Sequence, residues 1–379
     1  MISRRAQAIT PFLVMDVLEK AKTMEADGID VIHLEVGEPD FDVPPCVRDS
    51  MTAAMASGNT CYTHSLGDMR LREAISRHYR RRYGVDVPSS RIVVTAGTSP
   101  AMMLAFAALL DPEDEVILSD PHYACYPNFI RFVDGRVVTV PLSAAGGFQL
   151  NVEDAASAIT EKTKAICINS PANPTGAVLS AECMASLAGL SPYIISDEVY
   201  HGLTYEGRDH SILEFTDHAF VLNGFSKLYA MTGLRLGYLI VPEDFVRTIQ
   251  ILHQNLLISA NSVVQLAGIT ALEKAGDDVA KMREIYDQRR VYMLNRLRKM
   301  GFGIPVSPTG AFYVFADARH IDNDSYRLAF DILENARVGV APGIDFGQNG
   351  EGYLRFSYAN AMDNIEEGLN RVEAYLGRR

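Results

Sequence analysis

The sequence predicts an α/β protein: a mostly parallel seven-stranded sheet flanked by helices, followed by a smaller α+β domain. Three observations predict it. Short β-branched runs bounded by turn residues alternate with helical patterns as far as Gly276. From about Asp277 the pattern changes to one long charged helix followed by isolated strands and helices. And polar and aromatic residues gather where the apolar runs end, the rim on which open parallel sheets bind ligands.

The seven strands are "RIVVTA", "EVILSD", "RVVTVP", "KAICIN", "YIISD", "FVLNG" and "LGYLIV", with helices such as Ser99–Leu110 and Ala181–Leu190 between them. The later part holds "KMREIYDQRRVYMLNRLRKMG", then "GAFYVFAD", another helix, "YLRFSYA" and a terminal helix. At 379 residues the chain exceeds one small core, and the expected division has three parts. Residues 1–43 form an N-terminal arm and helix packing with the small domain, 44–276 the large domain, and 277–379 the small one. Arg4-Arg5 would suit a twin-arginine export signal, but "AQAITPFLVMDVLEKAK" places Pro11, Asp16 and Glu19 where an apolar core is needed, so it reads as an arm entering an amphipathic helix. No apolar run approaches the roughly 18 residues of a membrane span.

A formal net charge of −12 argues against nucleic-acid and anionic-membrane partners. The one dense basic run, Arg80-Arg81-Arg82, lies on a predicted helix and reads as a solvated face. The five cysteines are widely spaced with no Cys-x-x-Cys, and the nine histidines form no His-x-x-x-His pair. Reduced thiols in the cytoplasm and no metal site are expected.

The rim carries the chemistry. Thr98-Ser99-Pro100 opens a helix, with Ser99 the expected N-cap; such an end is always a good cap, and its free amides also suit a phosphate. Arg235 can grip phosphate oxygens and Ser226 can add a hydroxyl, though an ion pair and a local turn bond explain them as well. Asp197 ends an apolar strand, where a buried carboxylate needs a cation or donors; a protonated ring nitrogen serves. Asn173 and Tyr200 can donate to a phenolate-type oxygen, and Tyr123 can stack on a flat ring. Lys227 is a lone amine in the apolar stretch "NGFSKLYAMTGLRLGY"; desolvated beside other cations, it becomes nucleophilic toward an aldehyde. Phosphate, ring nitrogen, phenolic oxygen and aldehyde together describe pyridoxal 5′-phosphate.

The motifs "GEPDF" (Gly37–Phe41), "YTHSLGDMRLREAI" (Tyr62–Ile75), "SPANPTG" (Ser170–Gly176), "SDEVY" (Ser196–Tyr200), "NGFSKLYAMTGLRLGY" and "YLRFSYA" (Tyr353–Ala359), in this order over nearly the whole chain, resemble the class I/II aminotransferases of the aspartate aminotransferase superfamily, fold type I. The resemblance implies that Lys227 forms the Schiff base, Asp197 pairs with the pyridine nitrogen, and Asn173 and Tyr200 bond the phenolic oxygen. It implies that Tyr123 stacks on the ring and that Gly97, Thr98, Ser99, Ser226 and Arg235 hold the phosphate. Tyr62 matches a tyrosine that reaches the neighbouring subunit's phosphate, so a homodimer with shared sites is implied. Arg355 matches the fork for the substrate α-carboxylate, with Gly37 and Asn173 bordering that pocket. One departure stands out: Gly224 occupies a position where some members carry a hydroxyl.

The function implied is ping-pong transfer of an amino group from an L-amino acid to a 2-oxo acid, with 2-oxoglutarate the expected acceptor. A carbon–sulfur β-lyase on the same scaffold would share every cofactor contact; a non-catalytic cofactor-binding protein would have little use for both Lys227 and Arg355. Phe12, Leu13, Tyr62, Asn261 and Tyr313 are the expected pocket walls, a largely apolar or neutral set that favours neutral or aromatic amino acids beside glutamate and leaves aspartate open.

Overall fold

The computed structural model describes residues 2–378, so the outer limits of the expected division, 1 and 379, lie outside the described residues. Its strands are β1 (Ile32–His33), β2 (Ile92–Thr95), β3 (Glu115–Asp120), β4 (Arg136–Pro141), β5 (Thr163–Asn169), β6 (Tyr193–Asp197), β7 (Ala219–Gly224), β8 (Gly237–Ile240), β9 (Tyr313–Asp317), β10 (Val338–Gly339), β11 (Ala341–Pro342) and β12 (Tyr353–Ser357). The seven predicted strands are β2–β8, joined in one sheet of order β2-β8-β7-β6-β5-β3-β4. Every neighbouring pair is parallel except those of β8, which runs antiparallel to β2 and β7. Strands β2, β7 and β8 are buried at every position. Helices cover both faces, so their sequences are unbroken apolar runs instead of alternating ones. Strand β4 closes one edge and exposes Arg136, Thr139 and Pro141, residues that discourage further pairing.

Early helices are α1 (Arg4–Gln7), α2 (Leu13–Ala26), α3 (Pro45–Ala56), α4 (Met69–Tyr83) and α5 (Thr98–Leu109). Helix α5 packs on β7 and β8 with Ala101, Met102, Leu104, Ala105 and Phe106 buried. It corrects one expectation: the cap is Gly97, at φ +98°, and Ser99 is the second helical residue. Only glycine adopts that φ without cost, so the helix begins one residue early. Pro100 still falls in the first turn, where its missing N–H is no loss. The predicted helix Ala181–Leu190 ends at Ala188, before Gly189.

A second, antiparallel sheet has the order β11-β12-β9, and β1 pairs in parallel with β10. Helix α2 packs against β11 and the helix Ser325–Ala336. The chain ahead of it is fastened elsewhere: Thr10 N donates to Asn128 Oδ1 at 3.1 Å, and Asn128 Nδ2 donates back to Thr10 O at 3.0 Å. The basic run also departs from expectation. Arg80 pairs with Asp86 at the surface, but Arg82 Nη2 reaches both oxygens of buried Asp209, at 2.8 and 2.9 Å, so it is a structural tie. Among the described residues no helix is long and apolar enough to cross a membrane.

Candidate active site

A cavity of about 350 Å³ lies at the carboxyl ends of β5, β6 and β7, where β9 and β12 of the smaller sheet meet the start of α5. Asp197 forms its floor. Burial pushes this carboxyl up to about 6, opposed by hydrogen bonds from Tyr126 Oη at 2.7 Å and Val199 N at 3.2 Å and by the charge of Lys227. A cation placed against it would be stabilised in turn. Asn169 ties the floor to the wall: its Nδ2 donates to Asp197 O at 2.9 Å, and its Oδ1 accepts from Asn173 N at 2.7 Å.

Lys227 Nζ donates to Gly37 O at 2.6 Å. Burial takes its amine down to about 8; Glu38 opposes this, while Arg355 and Arg235 add to it. Near neutral pH the proton is therefore held loosely, as a group that gives and takes protons requires.

Gly97, capping α5, supplies no side chain, so the first-turn amides and the Thr98 and Ser99 hydroxyls face the cavity uncapped. A Cβ on Gly97 would lie 2.6 Å from Arg235 Nη2. Arg235 itself sits at φ +55°, a left-handed conformation that costs a non-glycine residue about 1–2 kcal/mol, and its Nη1 donates to Thr232 O at 2.9 Å. Glycine, amides and guanidinium make a cradle for a multiply charged anion, with Ser226 beside it. Gly224 has its own reason: a Cβ there would lie 3.1 Å from Leu236 O and 3.2 Å from Gly237 Cα, where β7 and β8 approach closely.

Arg355, 2% exposed on β12, donates through Nη1 to Asn173 Oδ1 at 2.9 Å and through Nη2 to Glu35 O, and its buried Nε has no partner. Its guanidinium lies 4.3 Å from the Tyr313 ring centroid and 4.9 Å from that of Phe346. A guanidinium fixed in place with its Nε unpartnered, and with a second hydrogen on each Nη, is suited to a carboxylate. The Tyr200 and Tyr313 hydroxyls are 2.8 Å apart, and Tyr123 meets Phe12 edge-on at 6.2 Å. Phe12, Val14, Met15 and Leu18 form an apolar wall.

Twelve of the predicted residues thus share one cavity wall or, for Gly97, its immediate backing, and Tyr62 does not: it is 82% exposed and away from its own chain's cavity. Two expected wall residues are corrected. The backbone amides of Leu13 and Val14 donate to Asp345, at 2.9 and 3.1 Å, closing the first turn of α2 and directing Leu13 toward a neighbouring hollow. Asn261 accepts from Val264 N at 3.2 Å as the cap of the helix Ser262–Lys274, which occupies its side chain. Sequence reasoning missed Tyr126 and Asn169. The signal for Tyr126 is that a buried tyrosine hydroxyl needs an acceptor. Replacing Tyr126 by Phe removes the strongest hydrogen bond to Asp197 and moves its pKa upward; kcat is expected to fall about tenfold, measured by steady-state kinetics.

The sequence model of the family described as "Aminotransferase class I and II" matches residues 29–372. A (5-formylfuran-3-yl)methyl phosphate transaminase of Methanocaldococcus jannaschii is 40% identical, covering 100% of both chains. An aspartate/prephenate aminotransferase of Thermus thermophilus is 38% identical over 100% of this chain and 99% of its own. The structure of an aspartate aminotransferase from Thermus thermophilus with maleate superposes with a TM-score of 0.95 at 37% identity, covering 99% of each chain. With the match running the length of the chain, and the sheet, cavity and paired Lys227 and Asp197 in place, the protein belongs to the class I and II aminotransferases, enzymes dependent on pyridoxal 5′-phosphate.

Proposed function

We propose that this aminotransferase moves the amino group of an L-amino acid to 2-oxoglutarate in two half-reactions of ping-pong type, with Lys227 the amine that links to the cofactor as a Schiff base. The observation that carries the reading is the presence in one cavity of a loosely protonated Lys227 and a fixed Arg355 guanidinium whose Nε has no partner. The cavity's residues fit the cofactor. The uncapped start of α5, Ser226 and Arg235 suit its phosphate, Asp197 its ring nitrogen, and Tyr123 its ring face. Asn173 keeps its amide N–H₂ for the phenolic oxygen because its Oδ1 is engaged by Arg355, and Tyr200 faces the same place. When bound, pyridoxal phosphate supplies an aldehyde carbon for an amine and a ring that takes up electrons.

The chain's own groups do the rest. Arg355 holds the substrate α-carboxylate and so orients Cα toward Lys227. Lys227, once free of the cofactor, would take the Cα proton and would deliver it across the nitrogen to the former aldehyde carbon. Gly37 O steadies Nζ between those positions. The apolar wall from Phe12 to Leu18 excludes water and faces the side chain. Lys227 and Arg235 being committed, the acceptor's second carboxylate must be met at the cavity mouth or by a neighbouring subunit.

Support for a homodimer comes from Tyr62, large, aromatic and 82% exposed, as expected of a side chain serving a second copy's phosphate. The division into residues 44–276 and 277–379, with 1–43 as arm and helix, is proposed from the separate sheets and the packing of α2 on the later one. Five free cysteines suit the cytoplasm, and the reaction suits amino-acid metabolism.

The test is a half-reaction screen: holoenzyme mixed with each amino acid without acceptor, following the cofactor's visible band and the 2-oxo acid released. One equivalent of 2-oxo acid, with the band restored by 2-oxoglutarate, supports the proposal; ammonia and pyruvate from a cysteine conjugate without any acceptor would replace it by a β-lyase. Arg355→Lys keeps the charge but loses the fork; kcat/KM is expected to drop about 100-fold, mostly through KM.

A further inference from the structure

Residues Ile32–Gly37 form a short extended segment wedged between two others. On one side it pairs with β10, and Leu34 N donates to Gly339 O at 3.0 Å. On the other, Ser357 N donates to Leu34 O at 2.7 Å and Asn360 Nδ2 to His33 O at 2.9 Å. Two of its alternate carbonyls then face the cavity's machinery. That of Glu35 accepts from Arg355 Nη2, and that of Gly37 accepts from Lys227 Nζ. A single stretch of backbone therefore sets where the guanidinium stands relative to the amine.

Its position depends on a buried charge. The Glu35 side chain is fully buried, in a slot that exists because residue 339 is glycine: a Cβ there would lie 2.0 Å from Oε2. Glu35 Oε1 takes His33 Nδ1 at 2.6 Å, and Oε2 has no partner. His33 and Glu35, two apart on an extended segment, project to the same face. The other ring nitrogen, Nε2, meets Glu25 Oε1 of α2 at 3.1 Å, and the second Glu25 oxygen takes Lys22 Nζ at 2.8 Å. Strand β10 contributes no charge, and the segment before the last helix offers neutral Asn360. With carboxylate oxygens against both nitrogens, the imidazolium is the form of the ring that donates to both. A neutral ring would turn a lone pair on one carboxylate and leave Glu35 buried without a cation, an arrangement proteins tolerate poorly.

We propose that His33 and Glu35 are positioning residues for substrate binding: their ion pair holds the backbone that presents Arg355 to the substrate carboxylate. This rests on the reading of Arg355 given under Proposed function. The pH dependence has a definite sign. Glu35 chiefly, then Glu25, raises the His33 pKa against the opposing effect of burial. The pair is complete below the ordinary imidazole value and is lost as pH rises through the higher folded value. KM should climb over that window.

The test measures kcat and KM of the holoenzyme for the best donor and for its acceptor, from below the ordinary imidazole value to well above it. His33→Gln is expected to raise KM for both on the order of tenfold with kcat little changed, and to abolish the pH-dependent climb. The double variant His33→Gln/Glu35→Gln, which leaves no bare carboxylate, should recover most of the lost affinity. An unchanged KM in His33→Gln, a fall confined to kcat, or a climb that persists in that variant overturns the proposal. Should His33→Gln fail to fold, Glu25→Gln removes only the outer negative charge and is expected to move the climb to lower pH; an unmoved climb overturns it equally. Arg355→Lys in the same assay separates the two readings. Raised KM there with unchanged KM in His33→Gln defeats only this inference, whereas unchanged KM in Arg355→Lys defeats the role given to Arg355.

Discussion

Replacing Lys227 by Ala is expected to lower kcat by on the order of 10⁴-fold or more while the protein stays folded. On the proposed function the substitution removes both the linking amine and the carrier of the Cα proton, and no other amine lines the cavity among the described residues. Stability should move the opposite way. The amine's folded value of about 8 lies below its ordinary 10.5, so between them the unfolded chain binds the extra proton. Wild-type stability therefore rises with pH through that window, and below it the protonated amine is a buried cost. The cofactor-free variant should match or exceed the cofactor-free wild type in thermal midpoint near neutral pH, with the margin shrinking as pH passes above about 8. Calorimetry and turnover on one preparation check both halves, and borohydride trapping should label position 227 in the wild type only. Substantial turnover in the variant, or a label elsewhere, would remove Lys227 from the mechanism.

The second large effect is expected of Asp197→Asn, an isosteric change that removes the charge and turns one accepting oxygen into an N–H donor. Without a carboxylate opposite the ring nitrogen, the protonated ring loses its counter-charge, and kcat should fall roughly 10²–10³-fold. Cofactor affinity should weaken as well, read from the equilibrium loss of the bound visible band. The carboxyl's elevated value of about 6 makes this site instructive: burial disfavours its charge until a cation arrives, so cofactor and carboxylate stabilise one another. A variant with kcat close to that of the wild type would show that the floor charge is dispensable.

How much of this was legible beforehand differs by element, for physical reasons. Strands such as β2, β7 and β8 were readable because burial on both faces forces an unbroken apolar run with polar residues where the sheet ends, and edge strand β4 by its β-branched run alone. The two-residue strands β1, β10 and β11 are too short to carry any period, and β1 and β10 exist only through each other, about 300 residues apart. Lys227 stood out as a lone amine in an apolar stretch and Asp197 as a carboxylate ending an apolar strand, whereas Arg355 was named only by the family resemblance. Tyr126 was invisible because its acceptor lies 71 residues on. Leu13 and Asn261 were misread for a related cause: Asp345 takes up the start of α2, and a helix cap consumes Asn261, neither of which side-chain type foretells. The Ser99 cap failed locally, where a glycine at φ +98° outcompeted a hydroxyl.

The N-terminal arm is moored twice. Thr10 is clasped by Asn128, beside the seven-stranded sheet, and Leu13 by Asp345, which follows the smaller sheet's β11. Only Pro11 and Phe12 bridge the two moorings, and Phe12 is also a cavity wall. Any sliding of one sheet against the other is thus gathered into two residues and delivered as a displacement of an aromatic ring, so the space left for a substrate side chain reports the relative setting of both halves of the molecule.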